Sequence, residues 1–176
     1  MKFKIFRFNK VESTNNSAIR IIKNSNIDYG MIIANEQKSG KGQYGKKWIS
    51  YKGNLFVSFF YKIDHLAVSL KQITKINCLL VKKLLSVYYK KKIIFKKPND
   101  LLINKKKICG ILQEKISKLN KKYLIVGIGI NLVKNPNFKN YPTTNLNVLL
   151  NKKVSKKKIE KQIKKIFEIK LTKLFK

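Results

Sequence analysis

The order of apolar and polar positions predicts strands and helices in alternation. Phe3, Ile5 and Phe8 stand among charged neighbours and mark a first strand. Ser13 and Thr14 then offer helix caps, and Ala18, Ile19 and Ile22 form one helical stripe. Gly30 opens a compact apolar run over 31–34, which is predicted as a buried strand. Over 54–63, Leu55, Val57, Phe59 and Tyr61 fall on one face of a further strand. The stretch 65–89 carries apolar residues at helical spacing and is predicted as one long helix. Residues 93–95 make a short strand broken at Pro98. A hairpin is predicted over 101–116, turning at 104–106. A second turn near Asn120 leads into a strand over 123–132 that contains Gly127 and Gly129. A polar loop over 134–145 precedes a final helix from about Ser155, where Ile159, Ile163, Ile166, Phe167, Leu171 and Leu174 follow a 3.6-residue period. With no internal repeat and no linker, the 176 residues read as one α+β domain: a mixed, largely antiparallel sheet packed with helices.

Charge changes this picture more than composition does. There are 41 basic residues against 8 acidic ones, a formal charge of +33. Two of the 41, Arg7 and Arg20, are arginine, which leaves 39 lysines. Sequence-reading nucleic-acid surfaces favour arginine for bidentate contacts, so solvated lysine faces explain the excess better than a dedicated polyanion site. No helix-turn-helix, RNP or finger signature accompanies the charge. Such a field still attracts ATP and acidic proteins. Cys78 and Cys109 are isolated, which argues against a disulfide framework or zinc site. The first ten residues lack the apolar run of a signal peptide, and no stretch has transmembrane length, so a cytoplasmic protein with no membrane partner is expected.

Four segments could carry chemistry. Residues 38–47 hold Gly40, Gly42 and Gly45 among four lysines, a cationic loop able to turn backbone N–H groups toward an anion, although it is not a Walker A sequence. Trp48 follows it. In Lys96-Lys97-Pro98-Asn99-Asp100, proline sets a turn from which Asn99 and Asp100 project; a plain Asx turn is the local alternative. Lys107 stands at the end of an apolar strand beside Gly110, either reaching an anion held on the sheet or snorkelling to solvent. Gly127-Ile128-Gly129-Ile130-Asn131 is a strand bare on one face and ending in an amide.

In this order the segments resemble the catalytic domain of biotin–protein ligases over most of the chain, from about Ser13 to the last helix. Ser13-Thr14-Asn15 is similar to that family's Ser-Thr-Asn motif. Gln37, residues 40–46 and Trp48 resemble its Gly-Arg-Gly-Arg-x-Gly-Arg-x-Trp loop. Asn54-Leu55 opens the next strand as in the family, and residues 96–100 resemble Lys-Trp-Pro-Asn-Asp. Lys107 falls at the catalytic lysine, and residues 127–131 match Gly-x-Gly-x-Asn. The resemblance implies a seven-stranded mixed sheet related to class II aminoacyl-tRNA synthetases. It implies activation of biotin by MgATP to biotinyl-5′-AMP and transfer to a lysine of a biotin carboxyl carrier protein. It assigns Lys107, Asp100 and Lys41 to catalysis. Biotin would be bound by Ser13, Thr14, Asn15, Gln37, Lys41, Gly42, Gln43, Lys107, Gly110 and Gly127. Lys46, Trp48, Asn99, Gly129 and Asn131 would lie on the adenylate side, and Asp100 would meet Mg²⁺ or the attacking amine. Lys41 and Lys46 stand where the family has arginines and lose bidentate geometry, Gln43 is neutral where the pattern is often basic, and Lys97 replaces tryptophan.

The resemblance further implies one catalytic domain over 1–176, without the winged helix-turn-helix or SH3-like barrel that many members carry, and hence no specific DNA binding. A monomer or weak homodimer is expected, because +33 on each subunit opposes self-association. The alternatives are a lipoate–protein ligase of the same fold, whose Arg-Arg-x-Ser-Gly-Gly-Gly loop is missing here, and a basic nucleic-acid-binding protein.

Overall fold

The computed structural model of the chain describes residues 2–64, 68–138 and 141–175. Seven strands form one sheet: β1 (Lys4–Val11), β2 (Tyr29–Gln37), β3 (Leu55–Lys62), β4 (Ile93–Lys96), β5 (Asp100–Ile103), β6 (Lys106–Lys118) and β7 (Lys121–Ile130). Their spatial order is β1-β2-β3-β7-β6-β5-β4. Among these seven strands only β1 and β2 pair in parallel. A parallel pair needs a crossover, which α1 (Thr14–Asn24) supplies. The expected mixed, mostly antiparallel sheet is thus the one observed.

The two faces of the sheet have different fates. One is buried under α2 (Leu70–Tyr88) and α4 (Lys156–Leu174), where Ile73, Val81, Leu84 and Leu85 meet Ile159, Ile163, Phe167 and Leu171 over Leu55, Val57, Phe59 and Tyr61. Phe59 stacks on Phe167 with ring centroids 4.2 Å apart. The opposite face carries α1 at one end, with Ala18 and Ile22 against Ile32, Phe60, Tyr123 and Ile125. The other end of that face has no helix over it. There the sheet is bare, and the site lies there.

Local chemistry explains most boundaries. Ser13 caps α1 by accepting from the Asn16 N–H, and Ser69 and Gln72 form a reciprocal capping box at the start of α2. The long helix expected from residue 65 therefore begins at 70; residues 65–67 lie outside the described residues. Asn104 and Lys105, both at positive φ, make the β5–β6 turn. The first strand splits its apolar residues between faces: Phe3 packs on Phe59, whereas Phe6 and Phe8 join the α1 cluster and Ile5 is exposed. One helix was not expected. The short α3 (Leu146–Leu150) is capped by Asn145, which accepts from the Val148 N–H. Among the described residues no helix is long and apolar enough to cross a membrane.

Candidate active site

The bare end of the sheet is a strip of small residues in register. Gly129 of β7 lies opposite Gly110 of β6, which lies opposite Asp100 of β5. One step along, Ser58 lies opposite Gly127, and Gly127 opposite Leu112. Directly paired residues face the same side, so these rows form a common floor. Around it rise the start of α1, the 40–49 loop, the 96–99 turn and Tyr141, enclosing a cavity of about 730 Å³, within the range of small-molecule sites.

At one end of the cavity the polar groups serve each other. The Thr14 N–H donates to Gln37 Oε1 at 2.8 Å, and Gln37 Nε2 donates to Ser50 Oγ at 3.0 Å. Ser58 Oγ lies 2.7 Å from Thr14 Oγ1 and 2.5 Å from Asn15 Oδ1. Asn15 Nδ2 donates to Glu114 Oε2 at 2.6 Å. The glycine at 127 has a local cause. A Cβ there would sit 2.3 Å from Asn15 Oδ1, so its absence lets the Asn15 amide lie on the strand.

The centre holds Lys107. Its ammonium pairs with Asp100 at 2.8 Å, and both side chains are largely shielded from solvent. The Tyr141 hydroxyl also donates to Asp100. Burial, then that hydrogen bond and the Asp100 charge, raise the Tyr141 phenol above its ordinary value and hold it as a neutral donor. The Lys107 ammonium is 5.4 Å from the Trp48 ring centroid and 5.3 Å from that of Tyr141, within cation–π range. Lys107 also ties down the chain that follows β7: its N–H donates to the Pro142 carbonyl, and its carbonyl accepts from the Thr144 N–H.

The glycine-lysine loop closes over this centre as a bonded turn. Gly42 N–H donates to the Lys46 carbonyl at 2.6 Å and Trp48 N–H to the Gly40 carbonyl at 2.8 Å. Trp48 lies flat on the floor: a Cβ at Gly129 would be 2.4 Å from its ring, and one at Gly110 2.7 Å. Its Nε1 is buried and has no hydrogen-bond partner among the described residues. Lys41 reaches Asn16 Oδ1 at 2.8 Å, while Lys46 and Lys47 are exposed on the rim.

The structure thus brings Ser13, Thr14, Asn15, Gln37, Lys41, Gly42, Gln43, Lys46, Trp48, Asn99, Asp100, Lys107, Gly110, Gly127 and Gly129 to one cavity. Asn131 is not in it. It lines a smaller side cavity of about 70 Å³ behind Trp48 and Lys107, and its Nδ2 donates to the Thr144 carbonyl. Asn99 is at the wall, but its Nδ2 is spent on the Ile111 carbonyl, joining the turn to β6. Sequence reasoning missed Ser58, Ser50, Glu114 and Tyr141. Their partners are far away in the chain, and no local pattern marks them. Among the described residues no cluster of three acidic, histidine or cysteine side chains could hold a metal. Asp100, the one carboxylate on the cavity wall, already faces an ammonium and a phenol.

The bare sheet end thus gathers a buried lysine, a cluster of hydrogen-bonding side chains and a cationic flap around one cavity. The model of the biotin/lipoate A/B protein ligase family matches residues 7–131, and the chain belongs to that family. It is 30% identical over 129 residues to the bifunctional ligase/repressor BirA of Bacillus subtilis, covering 72% of this chain and 40% of that protein. It is 28% identical over 130 residues to the biotin–[acetyl-CoA-carboxylase] ligase of Paracoccus denitrificans, covering 72% of this chain and 54% of that one. The chain thus spans roughly half or less of these relatives. Among solved structures it is similar to the biotin protein ligase of Aquifex aeolicus in complex with biotin and ATP, with TM-score 0.81 and 30% identity over 97% of this chain and 71% of that one. The lipoate-bound LipL1 of P. falciparum, 12% identical with TM-score 0.60 over 92% of this chain and 61% of that one, shares the fold.

Proposed function

We propose that the chain activates biotin with ATP and passes it to a lysine of a biotin carboxyl carrier protein. The observation that carries this reading is the position of Lys107. Its ammonium sits on the sheet floor between a hydrogen-bonding nest and a lysine-rich flap. Activation must bring a carboxylate against a triphosphate, and two anions approach only where cations neutralise them. A carboxylate of the bound acid would take the place of Asp100 beside Lys107, and the rim lysines Lys41 and Lys46 would face the phosphates. Carboxylate oxygen then bonds to the α-phosphorus as pyrophosphate leaves. In the second step the carrier amine bonds to the acyl carbon, AMP leaves with the bonding electrons, and the amine loses a proton. Asp100 is the carboxylate within reach of that amine. Mg²⁺ would arrive on the nucleotide, held mainly by phosphate oxygens, as is usual for this ion. A strongly basic surface suits an acidic carrier in the cytoplasm.

Lipoate is the competing acid. The relatives and the solved complex favour biotin, as does a nest rich in hydrogen-bonding groups at the end where lipoate would present an apolar ring. The test supplies biotin or lipoate with MgATP and an apo carrier domain, following pyrophosphate release and the mass of the carrier. Biotin-dependent pyrophosphate and a biotinylated carrier are expected. Transfer of lipoate alone overturns the assignment.

A further inference from the structure

We infer that Glu114 is a positioning residue that sets the hydrogen-bond polarity of the nest, so that Thr14 is presented to the bound acid as an acceptor. This rests on the biotin reading above and specifies which part of that acid the nest recognises.

The argument is a count of protons. Glu114 is a carboxylate and can only accept, so Asn15 must turn its Nδ2 toward it, as the 2.6 Å contact shows. That orientation leaves Asn15 Oδ1 facing Ser58 at 2.5 Å. An amide oxygen cannot donate, so the single Ser58 proton is committed to it. Ser58 Oγ also lies 2.7 Å from Thr14 Oγ1. With its own proton spent, Ser58 can only accept there, and Thr14 must donate. Gln37 Oε1 competes for the Thr14 proton at 3.1 Å, but it is farther away and already receives the Thr14 N–H at 2.8 Å. The run Thr14 to Ser58 to Asn15 to Glu114 therefore donates in one direction, toward the carboxylate. Thr14 is left with lone pairs and no proton for the cavity that it lines.

A site of that polarity takes an N–H donor. A cyclic urea offers two, one on each side of its carbonyl, whereas a dithiolane ring offers none. Without an acceptor at 114, the Asn15 amide is free to turn over, and Ser58 can hand its proton back to Thr14. The Thr14 proton, no longer held by Ser58, would then be shared between Gln37 Oε1 and the cavity, and the match to an incoming N–H is weakened. Glu114 touches neither the acid nor the reacting atoms in this account. It acts through Asn15 and Ser58.

The experiment compares biotin with a biotin analogue methylated on both ureido nitrogens, measured by calorimetry on the wild-type protein, Glu114→Met, Glu114→Gln and Ser58→Ala. The wild-type protein is expected to bind biotin and to lose about tenfold or more with the methylated analogue, as sites built around a hydrogen bond do. Glu114→Met is expected to weaken biotin about tenfold and to shrink the methylation penalty to about threefold or less, because the acceptor has been lost. Glu114→Gln keeps a carbonyl for Asn15 and is expected to restore affinity to within about threefold of the wild type. Ser58→Ala breaks the same run from the middle and is expected to behave like Glu114→Met, which keeps the test alive should the latter fail to fold. Glu114 is excluded from this role if Glu114→Met binds biotin like the wild type, if Met and Gln weaken it equally, or if the methylation penalty survives in the Met or Ala variant. A wild-type protein that ignores biotin altogether overturns the activity reading as well.

Discussion

Lys107 is held by partners on three sides: the Asp100 carboxylate at 2.8 Å, the Trp48 ring and the Tyr141 ring. A lysine at a strand end could have snorkelled to solvent; here it is four-fifths buried, and its charge is aimed along the floor of the cavity. Its stem lies on Gly110, where a Cβ would come within 3.3 Å of Lys107 Cε. Lys107→Gln keeps a polar, unbranched stem one atom shorter and removes the charge. It is expected to lower biotin-dependent pyrophosphate release about 100- to 1,000-fold, the cost of removing one group that stabilises charge in the transition state. Carrier biotinylation started from preformed biotinyl-5′-AMP should fall less, because that step does not join two anions. Equal losses in the two assays would place the charge requirement elsewhere than in activation.

The glycines of β6 and β7 act as an element. The sequence left Gly127 and Gly129 as a strand bare on one face, without saying what covers it. The answer is this chain's own side chains: Asn15 lies on Gly127, and Trp48 on Gly129 and Gly110. Gly129→Ala would place a methyl 2.4 Å from the indole and lift it from the sheet. Because Trp48 is the single tryptophan, the intrinsic fluorescence reports this directly. Its emission is expected to move to longer wavelength in Gly129→Ala and stay unmoved in Gly127→Ala. The latter is expected to lose about 1–3 kcal/mol of stability, seen as a lower urea midpoint, through overpacking against Asn15. Much of the site was legible because its motifs are local: Ser13-Thr14-Asn15 at a helix start, the glycine-lysine loop, and the turn before Asp100. What stayed hidden depends on contacts across the sheet. Glu114 meets Asn15 from 99 residues away, Ser58 from 43, and Tyr141 meets Asp100 from 41. The parallel β1–β2 pairing was equally silent, since a strand's own residues do not declare its partner's direction. The five-residue α3 had a readable cap in Asn145 but too few turns to show a period. The opposite face of the sheet holds Cys78 and Cys109, both fully buried. Burial pushes the Cys78 thiol up to about 12, from an ordinary 9.0, and raises Cys109 as well. A raised value means that the folded state keeps protons the unfolded chain releases, so this contribution to stability is complete below pH 9 and is lost as pH climbs toward 12. At pH 8 neither thiol is expected to react with a disulfide reagent until denaturant is added, after which both should. Prompt labelling of the native protein would show that the α2–α4 layer opens.

For the whole molecule the dominant quantity is +33. Seven ion pairs are present among the described residues, and several, such as Lys38–Glu12 and Lys52–Glu36, are long and solvent-exposed. Exposed pairs of that kind contribute little, so most lysines face only like charges and water. The resulting self-repulsion works against the compact state, while the same field would draw anions such as the proposed nucleotide toward the lysine-rimmed cavity. Both effects are screened by salt, the first to the protein's advantage and the second to its cost. Raising ionic strength from about 0.01 M to about 0.1 M shortens the screening length from about 30 Å to about 10 Å, from the size of the domain to that of the cavity. The melting temperature is therefore expected to rise over that interval, and the KM for ATP to rise with it, since both follow from weakening one field. On the proposed reading, biotin affinity should change much less, because its single carboxylate would lie close to Lys107, shielded by the sheet and the flap. A salt titration that left the melting temperature flat while the KM for ATP climbed would mean that the lysines repel each other too weakly to matter and that the attraction is confined to Lys41, Lys46 and their neighbours on the rim.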